Sequence, residues 1–108
     1  MGQPAYAKVT VSFESVECRD KAQGAFTIWA DQAVLGKLPP PNDGDFDIYF
    51  INGVNNTLTF EVGSGRYANC VWQCERIRDF FKEQSGVLSI EQDVHALTDS
   101  INWYKNEN

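Results

Sequence analysis

His95 is the only histidine in this chain of 108 residues, which rules out a multi-histidine metal centre. Cysteine is also scarce. Cys18, Cys70 and Cys74 form an odd set with no Cys-x-x-Cys pair, so neither a disulfide framework nor a structural zinc site is available. Reduced thiols in a cytoplasmic setting fit that usage. No apolar run approaches the roughly 20 residues that a membrane-spanning helix needs. The first six residues lack the charged segment and apolar core of a secretory leader, so no membrane association is expected. Basic charge is in deficit, with 9 Lys and Arg against 15 Asp and Glu. The resulting net charge of −6 is scattered rather than blocked, leaving no stripe to neutralise phosphates, and nucleic-acid binding is therefore not expected.

What the chain does have is an ordinary core-forming composition, 43% hydrophobic and a generous 13% aromatic. At this length one hydrophobic core is supportable and two are not, so residues 1–108 read as a single domain.

Ala7, Val9, Val11 and Phe13 alternate with Lys8, Thr10 and Ser12, the period of a strand with one buried face. Val16 and Cys18 fall out of that phase, so the strand ends or bulges at Glu14 and Ser15. Arg19 to Gly24 reads as a turn. Ala25 to Trp29, with Phe26 and Ile28 on one side, and Ala33 to Leu38 read as two further short strands before the stop at Pro39, Pro40 and Pro41. Phe46, Ile48 and Phe50, followed by Leu58, Phe60 and Val62, predict a hairpin, with Asn52-Gly53 and Asn55-Asn56 providing the turn chemistry.

After Gly63 the period becomes helical. Tyr67, Cys70, Val71, Cys74, Ile77 and Phe81 make one stripe, predicting a helix from Arg66 to about Gln84. Ile90, Val94, Leu97, Ile101 and Tyr104 suggest a second helix from about Ile90 to Tyr104, started by a capping box of Ser89 and Gln92. The expectation is an α+β fold, with an N-terminal antiparallel sheet of about four to six strands covered by two C-terminal helices.

Chemistry-bearing constellations are thin. Cys70 and Cys74 lie on the core stripe of their helix, where cysteine behaves as a small hydrophobe, and two thiols are half of a structural metal site. Asp43, Asp45 and Asp47 depart from the spacing of a calcium loop. Glu14, Glu17 and Asp20 read as a polar strand end. Ser64, Gly65 and Arg66, joining a strand to a helix, are candidates for an anion site because amides at a helix start attract negative charge. No cofactor is implied and no catalytic constellation is found, so the expectation is a protein that is not an enzyme.

Trp72 falls nearly opposite the helical stripe, close to Arg76, and Trp103 lies similarly far from its own stripe. Trp72, Arg76 and Trp103 are therefore candidates for an interaction surface. With the acidic charge, they suggest a small interaction module of the inhibitor, immunity or oligomeric-adaptor kind, whose partner is a basic protein, a second copy of this chain, or both. The alternative is a small-molecule-binding domain with an apolar pocket between sheet and helices, lined by Phe46, Phe50, Phe60 and Phe81.

Overall fold

A computed structural model describes residues 4–44 and 46–96, apart from the side chains of Tyr49 and Phe50. The elements follow the order β1 (Ala5–Phe13), α1 (Val16–Val34), β2 (Ile48–Val54), β3 (Thr57–Ser64), α2 (Tyr67–Lys82) and β4 (Val87–Ala96). The sheet is antiparallel in the order β2-β3-β1-β4. This βαββαβ arrangement is the ferredoxin-like fold.

Alternation in β1 produces the two-sided sheet. Ala5, Ala7, Val9, Val11 and Phe13 are fully buried and Lys8 is exposed. In β3, paired with β1 by the register Val9 to Phe60 and Val11 to Leu58, the residues Leu58, Phe60 and Val62 face the same way. Helix α2 closes this face with Cys70, Cys74, Ile77 and Phe81, and α1 adds Ala22 and Phe26. Burying an aliphatic or phenylalanine side chain contributes about 1.5–3 kcal/mol, so this face supplies most of the stability. The opposite face carries Lys8, Thr10, Thr59, Glu61, Glu91 and Asp93. The hairpin turns at Asn55-Asn56, with Asn55 at φ 52°, while Asn52 and Gly53 stay within β2.

The expected placement of both helices at the C-terminal end is corrected. Residues 16–34, read as a turn and two strands, are helical. Ser15 adopts an extended conformation as N-cap and accepts a hydrogen bond from the Cys18 amide at 3.1 Å. The inward stripe of α1 is Cys18, Ala22, Phe26, Trp29 and Ala33, in steps of three and four. Much of it is alanine, too small to stand out against exposed Val16, Ile28 and Val34. Ser15→Ala should lower the unfolding free energy by about 1 kcal/mol, measurable by urea denaturation, because the cap hydrogen bond has no replacement.

The expected second helix is corrected as well, since residues 87–96 form β4, paired with β1 from Ala5–Ala96 to Phe13–Val87 with a bulge at Ser12 and Phe13. Ile90 and Val94 share a face whether the period is 2 or 3.6, because their separation of four residues satisfies both. The remaining members of that proposed stripe, Leu97, Ile101 and Tyr104, lie outside the described residues, as does Trp103. Among the described residues no helix is long and apolar enough to cross a membrane.

Candidate functional site

One long face of α1 and the edge strand β2 stand apart enough to leave a cleft. Thr27, Ala30, Asp31 and Val34, spaced i, i+3, i+4 and i+7, line it from the helix. Ile48 and Ile51 line it from the strand, with Phe46 beside them and Phe26 at the base. A separation of three would normally send Ile48 and Ile51 to opposite faces of the sheet. The register shift between Ile48 and Phe50 prevents this: Ile48 pairs with Val62 and Ile51 with Phe60, both on the helix-covered side. The resulting cavity is about 500 Å³ and opens to solvent. Its polar groups are few. The Thr27 hydroxyl donates to the Gln23 carbonyl at 3.1 Å, and Asp31 is exposed at the wall.

The chain leading into β2 is clipped to α2. Buried Gln73 accepts from the Asp47 amide at 2.7 Å and donates to the Asp47 carboxylate at 3.1 Å. One turn further along α2, Arg76 is 3% exposed. Its guanidinium lies 4.2 Å from the centre of the Phe46 ring, 4.4 Å from Trp72 and 6.0 Å from Trp29, all within cation–π range. Nη2 donates to the Asn42 carbonyl at 2.6 Å, but Nε and Nη1 are buried without an acceptor. Among the described residues no carboxylate comes within ion-pair distance. Burial pulls this guanidinium below its ordinary pKa, and nearby Asp43 opposes the shift.

The residues singled out in the sequence are dispersed. Trp72 is 38% exposed and covers Arg76, so the proposed interaction pair is a surface ring over a buried charge rather than two surface groups. Of the expected pocket residues, Phe46 lines the cleft, whereas Phe60 and Phe81 are fully buried, 5.3 Å apart in the core; the Phe50 side chain lies outside the described residues. The Ser64, Gly65 and Arg66 segment joins β3 to α2. The Ser64 hydroxyl oxygen accepts from the Arg66 amide at 3.2 Å and from the Asn69 side chain at 2.8 Å. His95 is on β4 rather than on a helix, exposed, with Nε2 2.9 Å from Asp93.

The two buried thiols, Cys70 and Cys74, also stay protonated. Burial pushes Cys74 up to about 12, reinforced by neighbouring Cys70, and burial raises Cys70 as well. Neither supplies a thiolate at neutral pH. Among the described residues no three His, Cys, Asp or Glu side chains are grouped to hold a metal.

The cleft residues on α1, namely Thr27, Ala30, Asp31 and Val34, escaped the sequence reading. The cap at Ser15 and the spacing Cys18, Ala22, Phe26 were the signals that could have found them.

No protein-family profile matches the sequence, and no curated protein matches it. A solved structure does: "Putative antibiotic biosynthesis monooxygenase from Nitrosomonas europaea", with a TM-score of 0.53 and 11% identity over 89% of this chain and 91% of that one. At that identity the likeness establishes a shared fold. Two expectations are nevertheless corrected. A non-enzymatic protein-interaction module was expected from the lack of catalytic motifs and the off-stripe tryptophans. Instead the chain has the architecture of a protein named for its enzymatic activity, and Trp72 caps an internal arginine. The alternative, an apolar small-molecule site between sheet and helices, accords better with that finding.

Proposed function

We propose that this protein binds a small, largely apolar organic molecule in the cleft between α1 and β2. The observation that carries the reading is the cavity of about 500 Å³, walled by Phe26, Ala30, Val34, Phe46, Ile48 and Ile51 with Thr27 and Asp31 as its polar groups. That size and mixture, apolar walls with a few polar groups to orient the guest, is the usual constitution of a small-molecule site.

The name of the Nitrosomonas protein suggests a reaction class, oxygenation of an organic substrate. In this chain Asp31 is the group positioned to take a proton from, or a hydrogen bond from, a hydroxyl or acidic C–H of the bound molecule. Aromatic walls favour a planar guest, because ring faces contribute contact area beyond simple burial.

A neutral bicyclic probe tests the site. Calorimetric titration with 2-naphthylmethanol should show saturable one-to-one binding to the native chain. Thr27→Trp should weaken it at least about tenfold by filling the cleft from an exposed helix position, with the circular dichroism spectrum unchanged. Failure of the native chain to bind, or equal binding by both proteins, would overturn the reading.

A further inference from the structure

Arg76 is a buried charge whose described partners leave two of its donors unused. A buried guanidinium normally meets a carboxylate, because removing it from water costs several kcal/mol unless paired and hydrogen-bonded. Among the described residues Arg76 has aromatic faces and a single carbonyl as partners, and two of its nitrogens have no acceptor. An apolar side chain could fill the same space without that penalty.

The position of Arg76 supplies a use for those donors. Phe46 both walls the α1–β2 cleft and lies 4.2 Å from the guanidinium, so one ring separates the cavity from the charge. Trp29 lies 6.0 Å from the same guanidinium and in contact with Phe46, 5.2 Å between ring centres. Phenylalanine χ rotations leave the backbone in place, and Phe46 stands outside the regular strand, before β2 begins.

We propose that Arg76 is the anion-recognising group of this site and that the ligand class is an aromatic carboxylate, its ring held among Phe26, Phe46, Ile48 and Ile51 and its carboxylate drawn past Phe46 to the guanidinium. The inference rests on the small-molecule reading above and adds the substrate class. Charge-assisted hydrogen bonds to a carboxylate are roughly twice as strong as neutral ones. A site built around a buried donor rejects analogues that leave it unpaired, which gives selectivity for the acid over its neutral counterpart. Asp31, exposed in the cleft wall, then receives a hydroxyl rather than a second anion.

The test compares 2-naphthoate with 2-naphthylmethanol by calorimetry on the native chain, on Arg76→Met and on Arg76→Lys. The native chain should prefer the carboxylate by at least about tenfold. Arg76→Met should abolish the preference while binding the alcohol as before, and Arg76→Lys should retain part of it. If Arg76→Met does not fold, Arg76→Lys decides: a preference for the acid undiminished when the two-pronged guanidinium is replaced by an ammonium overturns the assignment to Arg76. Equal affinity of the native chain for the two probes overturns the inference and leaves the small-molecule site standing, and so does a preference that survives Arg76→Met. If neither probe binds, the site reading fails and this inference falls with it.

Discussion

Phe26→Ala should lower the unfolding free energy by about 3–5 kcal/mol, a large share of the total of about 5–15 kcal/mol expected for a domain. The reason is its position. Phe26 is 1% exposed, and its ring centre lies within 4.9–6.2 Å of those of Phe60, Phe81, Phe80, Trp29 and Phe46. It is stacked nearly parallel on Phe81, with 19° between the planes. Truncation to a methyl group loses contacts on several sides at once, and rings held on three different elements cannot all move in to fill the space. Urea denaturation followed by circular dichroism measures the loss. Ile28→Ala is the matched control: two residues away but 65% exposed, it should change stability by no more than about 0.5 kcal/mol. Similar losses at both positions would mean that the segment is extended, with Phe26 and Ile28 on one face; the predicted contrast belongs to a helix.

Gly86→Ala should destabilise by about 2–4 kcal/mol, combining a backbone term and a steric term. Gly86 adopts φ +80°, where a side chain strains the backbone, and a Cβ there would lie 2.6 Å from the Cys18 sulfur and 3.0 Å from the Cys18 Cβ. Neither neighbour yields easily. Cys18 is fixed on the first turn of α1, and the Gly86 carbonyl accepts the Glu14 amide at 2.7 Å, joining the start of β4 to the end of β1. Unfolding curves for Gly86→Ala, Cys18→Ala and the double variant separate the two terms. Part of the loss should be recovered in the double variant, where the sulfur is gone, and the remainder is the cost of positive φ. Simple additivity would show that Cys18 is not the obstacle.

The parts of the fold that were legible in the sequence are those where one period held without competition. β1 alternates large apolar and polar residues, α2 repeats cysteine, isoleucine and phenylalanine at helical spacing, and the β2–β3 turn has Asn55-Asn56 to accept an unusual backbone conformation. Misreadings came where two periods fitted the same residues or where the decisive residues were small. Ile90 and Val94 suit a helix and a strand equally, and only pairing with β1 decides between them. In α1 the inward positions include Ala22 and Ala33, while exposed Ile28 and Val34, the latter facing the open cleft, carry the larger apolar side chains, so hydrophobicity alone conceals the buried face.

The site was less legible for the same reasons. Half of the cleft is on the misread helix, and the other half depends on a bulge that brings Ile51 onto the face of Ile48. Phe46 and Arg76 were both singled out in the sequence. Their contact is made by the chain folding back from Pro39 toward β2, and no local pattern announces it.

The position of β1 in the sheet also constrains how the chain is made. The first of the described strands to be made is an interior one, flanked by β3 on one side and by β4, the last of them, on the other. Its apolar row from Ala5 to Phe13 must wait for β4, more than seventy residues later, before both neighbours can pair with it. Such distant pairings slow folding and lengthen the interval in which an uncovered strand can meet another copy of itself. Synthesis at high local concentration is therefore a greater hazard to this protein than its modest core would indicate, and α1, formed from neighbouring residues and capped by Ser15, is the element available early to shield that row.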